Sequence, residues 1–371
     1  MLHPFTHSVG SAGVAWLSGG CCRARPLDPV LICGVILLLV AGAACIGLLI
    51  LQLGLRQVFA VAPKLRAPSD AMLPFTSLSV VIPAYNEAVN IAACLSAVLS
   101  SEIPCSRWQV LVVDDNSSDA TADLALRAAA EHGQSEADVQ LVQAGPRPQG
   151  ERWVGKNWAC TRAMEHVSSS WVLFIDADVR LKRDALRRAL AQAIDEEADL
   201  FSLAPRLVCG CLAEWMVQPI MASLLGLGFP IVAANDPASP VAFAAGPFML
   251  FRRSTYEAIG GHRALADEVV EDLALARRIK SEGYRLRYLL GVDALDLRMY
   301  ADLPSLWEGW TKNWFLGLDR DPFRALGAAA VVVLMFSSPW LLAPAAVVLR
   351  MVLPQQAGVW SALLALALLA I

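Results

Sequence analysis

The apolar and polar positions of this chain fall into three regimes. Val30 to Leu51, VLICGVILLLVAGAACIGLLIL, runs 22 residues without a charge. That is enough to cross a bilayer core of roughly 30 Å as a helix. Ala328 to Leu349 is a second uncharged span, with Pro339 and Pro344 as expected kinks. Gly358 to Ile371 is a third apolar run. Between Thr76 and Asp321 the apolar segments are short and separated by polar ones, as in a water-facing domain. The first span begins well inside the chain, exceeds a usual signal core and has no clear small-residue cleavage site after it, so a retained anchor is expected. Arg56, Lys64 and Arg66 follow it and Arg23 and Arg25 precede it, a bias that leans toward a cytoplasmic domain.

The central region alternates between two periods. Leu78 to Ile82, in LSVVIPAYNE, is a β-branched apolar run ended by Pro83 and reads as a buried parallel strand. Asn90 to Ser100 follows with helical spacing. VLVVDDNSSDATADLALRAAAEHG repeats the plan: a strand over Val110 to Val113, an acidic loop, then a helix closing at Gly133 and capped by Ser118 or Asp119. VQLVQA is a third strand. A helix over Asn157 to His166 then leads to a fourth, WVLFIDADV. This alternation predicts an α/β domain with a Rossmann-like, mainly parallel sheet. The expected organisation is a tail (1–29), a membrane span (30–51), a proline-containing linker (52–75), the domain (76–300), an interfacial segment (301–327) and apolar helices (328–371).

Composition narrows the class. The chain is 56% hydrophobic and 17% charged, too apolar for a purely soluble enzyme. A net charge of −4 argues against nucleic acid as a partner. Nine cysteines without a CxxC pair suit reduced thiols in a cytoplasmic setting, and five histidines far apart in sequence argue against a histidine-based metal site.

Ligands of an open α/β sheet bind beyond the carboxyl ends of its strands, and the clusters AYNE, DDNSSD and DAD all fall there. Asp176 and Asp178 end an apolar strand, and alternate residues of an extended segment face one way, so both carboxylates can meet one cation. Hard oxygen ligands suit Mg²⁺ or Mn²⁺. The competing readings are a solvated acidic turn and a phosphatase-like DxD, which lacks its usual threonine because Arg180 stands there. Asp114 and Asp115 can accept hydrogen bonds from a base or ribose, or simply form an Asx turn. Lys156 follows Gly155 near a helix start and reads equally as a diphosphate neutraliser or a surface lysine; Arg147 and Arg152 read as solvated. In ADEVVEDLALARR four acids precede a helix. Asp267 or Glu268 is the expected cap, and the helix dipole is expected to keep Asp272 ionised.

VVIPAYNE, VVDDNSSDAT, FIDADV, AAGPFMLFRRSTYEAIGG and EVVEDLALARRI, in this order, resemble the inverting family-2 glycosyltransferases of GT-A fold, over about Leu78 to Tyr300. With apolar spans on both sides, the chain is similar to glycosyltransferases of hopanoid and carotenoid pathways. The resemblance implies a nucleotide-diphosphate sugar donor, with Pro83, Ala84, Tyr85 and Glu87 lining its pocket and Asp114 or Asp115 on the base or ribose. It implies that Asp176 and Asp178 bind donor and metal, and that Asp272, with Glu271 beside it, is the general base. Gly246-Pro247-Phe248 would shape the acceptor side. The chain departs from processive synthases of this family, whose QxxRW motif is replaced by Trp310 to Trp314, WTKNW; single-sugar transfer is therefore expected.

An acceptor that is lipid-like or amphipathic follows from the membrane setting. The largely apolar stretch Cys211 to Ala234 reads as an interfacial segment facing it or as a buried core helix, with the first favoured, and Trp307, Trp310 and Trp314 read as an aromatic belt in preference to an acceptor-binding cluster. The rival functions are a catalytically silent membrane-anchored scaffold and a nucleotidyltransferase. Intact acid pairs argue against the first, and the absence of a glycine-rich basic loop after the first strand argues against the second.

Overall fold

The computed structural model describes residues 28–67, 76–133, 136–318 and 320–371. The tail up to residue 27 and the last third of the expected linker, 68–75, lie outside the described residues. The chain divides into two compact units, one comprising Gly47–Val332 and the other the residues up to Ile46 together with Val333–Ile371.

Helix α1 (Pro29–Val61) starts in the terminal unit and is ten residues longer at its carboxyl end than the expected span. The larger unit then builds β1 (Ser77–Ala84), α2 (Ile91–Leu99), β2 (Arg107–Asp114), α3 (Thr121–Glu131), β3 (Asp138–Gln143), α4 (Gly155–Ala163) and β4 (Trp171–Ile175). These are the predicted strands and helices, each displaced by a few residues at most. A second half follows: β5 (Val179–Leu181), α5 (Ala185–Asp195), β6 (Leu200–Ala204), β7 (Arg206–Leu207), α6 (Leu212–Gly228), α7 (Ile231–Asn235), β8 (Phe248–Arg252) and α8 (Arg253–Ala258). The unit ends with α9 (Glu271–Ser281), β9 (Leu286–Leu290), β10 (Leu295–Leu297), α10 (Leu303–Gly317) and α11 (Pro322–Val332).

Seven strands form one sheet in the order β3-β2-β1-β4-β8-β6-β9. All neighbours are parallel except that β8 runs against both β4 and β6. Ala84 pairs with Asp114 and Asp114 with Gln143, so β1, β2 and β3 finish level. Ile175, the last residue of β4, pairs with Phe248, the first of β8. A small sheet, β5-β10-β7, lies apart in the pairing scheme.

The strands are apolar on both faces, as helices on both sides require. One face, with Val80, Ile82, Val110, Leu173 and Leu250, packs in one core with Ile91, Leu95, Ala125 and Leu190 of α2, α3 and α5. The other, with Val81, Leu111, Val113, Phe174 and Phe251, packs with Trp158 and Ala159 of α4 and Leu275 and Ile279 of α9. This alternation is the period of two expected of strands. Asp119 Oδ1 accepts from the Thr121 amide at 3.0 Å, so it satisfies the start of α3 as expected, while Ser118 bonds Asn86 instead.

Helix α6 stays continuous through Pro219, with Leu212, Trp215 and Met216 exposed and Glu214 and Gln218 buried. Glu214 is satisfied there by the amides of Gly210 (2.7 Å) and Tyr300 (3.3 Å). The expected tryptophan belt splits. Trp307 faces outward, 72% exposed, whereas the Trp310 indole donates to Gln218 Oε1 on α6 at 2.8 Å.

In the terminal unit, α12 (Ser338–Val352) and α13 (Ala357–Ala370) bury Leu342, Ala346, Trp360 and Leu363 in one cluster with Ala41 of α1. Pro339 sits at the start of α12 directly after a π-helical turn, Val333–Ser337, and Pro344 lies inside it. Pro29–Val61 and Pro322–Val352 are long and apolar enough to cross a membrane; α13 is shorter.

Phe174 joins sheet to helices, with ring centroids 6.0 Å from Phe251, 5.2 Å from Tyr256 and 4.8 Å from His262. Phe174→Ala is expected to cost about 3–5 kcal/mol, read as a lower denaturant midpoint of the detergent-solubilised chain. An unchanged midpoint would show that this cluster does not carry the core.

Candidate active site

The loops after β1 and β2 are built as one piece. Asn86 (φ 55°) and Asn116 (φ 59°) take the left-handed conformation that asparagine tolerates better than most side chains. The Asn86 amide donates to Ser117 Oγ (2.9 Å), and the Ser118 amide donates back to Asn86 Oδ1 (2.8 Å). Glu87 and Ala88 amides donate to Thr121 Oγ1 (2.8 Å) and Asp119 Oδ2 (3.1 Å). Much of the polarity in AYNE and DDNSSD therefore fastens two loops together.

What remains lines a cleft of about 310 Å³: Pro83, Ala84, Tyr85, Glu87, Asp115, Gly155, Lys156, Ala159 and Asp176 to Asp178. The two adjacent aspartates separate here. Asp114 accepts from the Ser117 amide (3.0 Å) and the Gln143 amide group (3.2 Å), making the turn, and does not line the cleft. Asp115 does, with Oδ1 buried and without a hydrogen-bond partner. Its other oxygen pairs with Arg147, which the sequence suggested was solvated. Burial pushes the Asp115 carboxyl up, and Arg147 offsets part of that.

Asp176 and Asp178 share the cleft, but not by strand alternation: β4 has ended at Ile175, and a turn carries both carboxylates. Asp178 Oδ1 is buried and has no hydrogen-bond partner. Burial, then Asp176 and Glu87, push the Asp178 carboxyl up to about 7. A buried carboxylate oxygen without a donor fits a hard cation. Among the described residues no three His, Cys, Asp or Glu side chains gather closely enough to hold an ion alone. The fit is to an ion that takes its remaining ligands from water and phosphate.

Lys156 sits in the first turn of α4 and is neither free nor on the surface. Its Nζ lies 2.6 Å from Asp176 Oδ1 and 2.7 Å from Glu271 Oε1. Burial works against its charge, but Asp176 and Glu271 outweigh that and hold the ammonium well above the usual lysine range.

Glu271 and Asp272 form the first turn of α9. No side chain caps that helix; Val270 occupies the position expected of Asp267 or Glu268. Asp272 Oδ2 accepts from the Gly246 amide at 3.1 Å and Oδ1 from the Leu273 amide at 2.7 Å. A side chain at Gly246 would stand 2.9 Å from that carboxylate, which explains a glycine there. The expectation that the helix end keeps Asp272 firmly ionised does not hold. Burial, then Glu271, push it up to about 7, with Lys156 and the two amides pulling the other way. Desolvation outweighs the partial charge of one helix end.

Two groups were invisible in the sequence. Asn157, fully buried, donates from Nδ2 to the carbonyls of Leu265 (2.6 Å) and Glu268 (2.8 Å). His262 is buried against Phe174, its backbone amide donating to the Tyr256 hydroxyl (3.0 Å) and its Nδ1 2.7 Å from that oxygen. Burial pushes its imidazole down to about 3, so it is neutral structure rather than an acid–base group. Beside the Glu271–Asp272 turn, a larger groove of about 710 Å³ is lined by Val269, Val270, Leu273 and Leu316 together with charged residues that include Glu268, Glu282, Arg277, Arg278 and Arg320.

A family model described as glycosyl transferase family 2 matches residues 79–260. A second, described as glycosyl transferase family group 2, matches residues 171–371, more than half of the chain. The 4,4'-diaponeurosporenoate glycosyltransferase of Staphylococcus aureus (strain USA300) is 28% identical over 265 residues, covering 71% of this chain. The chain spans 66% of that relative's length. Among solved structures, the mannosyltransferase PcManGT from Pyrobaculum calidifontis, in complex with GDP-Man and Mn²⁺, is similar with a TM-score of 0.51 and 20% identity. That similarity covers 91% of this chain and 96% of the other and is a likeness of fold. Sheet order, cleft and family models agree: the chain has the GT-A fold and belongs to the family 2 glycosyltransferases.

Proposed function

We propose that the protein is a membrane-anchored, metal-dependent enzyme that moves one sugar from a nucleoside-diphosphate sugar to an amphipathic acceptor of carotenoid type, with inversion. The observation that carries this reading is that Lys156 links Asp176, which shares the cleft with Asp178, to the Glu271–Asp272 turn of α9 in a family 2 chain.

The donor nucleotide lies against Pro83, Ala84, Tyr85 and Glu87, with the unpartnered Asp115 oxygen available to its base or ribose. Asp178, with Asp176, holds Mg²⁺ or Mn²⁺, which when bound neutralises charge on the leaving diphosphate. Asp272 takes the proton of the attacking acceptor oxygen, and the Gly246 amide keeps its carboxylate aimed. One displacement from the face opposite the leaving group inverts the centre without a covalent nucleophile.

An apolar acceptor is supported by the exposed apolar side of α6 and by the relative's name. Single transfer is supported by WTKNW, whose Trp310 is occupied with Gln218. The spans at either end hold the domain at the membrane, and the basic residues after the first favour the cytoplasmic face. The relative's name also specifies a carboxylate, which motivates a second reading of the nucleophile. A carboxylate is already ionised near neutral pH and needs no base.

Asp272→Asn decides between these. With a hydroxyl acceptor it is expected to lower kcat by about 10²–10⁴, while nucleoside-diphosphate affinity by calorimetry stays near wild type. Undiminished turnover on a hydroxyl acceptor would remove Asp272 from the base role. The base works only when ionised. With its carboxyl raised to about 7, kcat/KM is expected to fall about tenfold per pH unit below that value. A profile flat to about pH 5 would contradict it.

Chelation is expected to stop sugar transfer from labelled sugar nucleotides in membranes, and added Mg²⁺ or Mn²⁺ to restore it. Asp178→Asn should raise the metal concentration needed by more than about tenfold. Transfer that persists in chelator refutes metal dependence, and release of pyrophosphate instead of nucleoside diphosphate refutes glycosyl transfer.

A further inference from the structure

The residues that hold the base are in contact with the residues that hold the donor, and the link is two consecutive positions at the start of α4. Lys156 reaches Asp176 on one side and Glu271 on the other, at 2.6 and 2.7 Å. Asn157, its neighbour, is fully buried and grips the backbone that leads into the base motif, through the carbonyls of Leu265 and Glu268. The Val154 amide adds a third tie, donating to Ala266 O at 2.8 Å. Beyond these ties, Leu265 packs on the helix-side core and its carbonyl accepts from the Glu268 amide at 3.0 Å. The 265–270 loop follows Gly260 and Gly261, both at positive φ (78° and 49°), and enters α9 without a side-chain cap.

We propose that Lys156 and Asn157 are a positioning pair that fixes the Glu271–Asp272 turn relative to the donor carboxylate Asp176, so that the base stands at a set position beside the donor site. Asn157 sets the path of the loop, and Lys156 sets the height of the helix turn. Neither needs to touch the acceptor. Lys156 thus differs from a simple diphosphate counter-charge. A counter-charge acts on donor affinity, whereas a positioning residue acts on the step that uses the base. An ammonium fits because it satisfies two carboxylates at once, and one of them, Glu271, would otherwise be buried unpaired. Asn157 Oδ1 is itself buried without a hydrogen-bond partner, so the residue is kept for what its Nδ2 does.

The charged and titratable groups around Asp272 are Glu271 on its own helix, Lys156 from α4 and the Tyr288 hydroxyl from β9. Of these Lys156 is the cation, so removing it leaves Asp272 facing only Glu271 and a phenol.

This inference rests on the glycosyl-transfer reading for its kinetic arm and is independent of it in its structural arm. In the ligand-free, detergent-solubilised chain, Lys156→Met and Asn157→Ala are expected to speed amide hydrogen exchange over 265–274 at least about tenfold, with β1 and β2 unchanged. Wild-type exchange there in both variants overturns the positioning role, whatever the enzyme transfers. In turnover, Lys156→Met is expected to lower kcat about 100-fold with donor KM changed less than about threefold. Its acid limb should move up by about one pH unit, and Lys156→Arg should recover part of both. A rise in donor KM alone, with kcat and the acid limb unmoved, makes Lys156 a phosphate-binding residue and overturns the proposal. A wild-type chain that transfers no sugar defeats the functional reading instead, and hydrogen exchange then decides the positioning role alone.

Discussion

The cleft gathers more negative charge than it neutralises. Asp176, Asp178, Glu271 and Asp272 come together around a single ammonium, that of Lys156. Carboxylates withdrawn from water and crowded by one another resist ionisation. Two of the four are accordingly pushed up to about 7. Lys156 stands between the two acid pairs, touching Asp176 on one side and Glu271 on the other. Division of labour within the site follows from where each carboxylate sits relative to that one lysine.

The sheet makes this crowding possible. β1, β2 and β3 finish level, and β4 ends where β8 begins, so loops from distant parts of the chain arrive at one edge. A parallel sheet alone would bring only the loops after its strands. Because β8 runs backwards, it also delivers the loop before it, and with that the Gly246 amide that steadies Asp272. The two stitched asparagine loops add stiffness on the donor side.

The first half of the fold was legible because each strand there is an apolar β-branched run closed by a polar cluster, and each helix follows with its own period. The second half was not. FMLFR and LFSLA are five-residue apolar strands, the first lying inside a quoted motif and the second in a stretch to which the pattern assigned no element. At the site, acids at strand ends pointed to the cleft, but their division did not. Whether Asp114 or Asp115 faces the ligand depends on which one the Ser117 turn consumes, and that is set by backbone conformation at Asn116. The true environment of Asp272 also lay outside the sequence, since the helix end is a local feature and its burial comes from β8, β9 and α4. Lys156 could be noticed beside Gly155. Asn157 could not, because its partners are carbonyls more than a hundred residues away.

The reversed strand has one more consequence. β6 ends at Ala204 and β8 begins at Phe248, and because they are antiparallel both of these points lie at the cleft edge. Everything between them, including α6 with its outward Leu212, Trp215 and Met216, is an excursion that leaves and re-enters the sheet at one place. Its two ends are tied down, β7 by pairing with β10 and Asn235 by two hydrogen bonds to the Tyr288 backbone of β9, so only α6 between them can lengthen or shorten without shifting the register of a strand. The fold thereby separates two kinds of change: the β1–β4 half is locked into the sheet, while the outward side chains of α6 can vary without disturbing a strand.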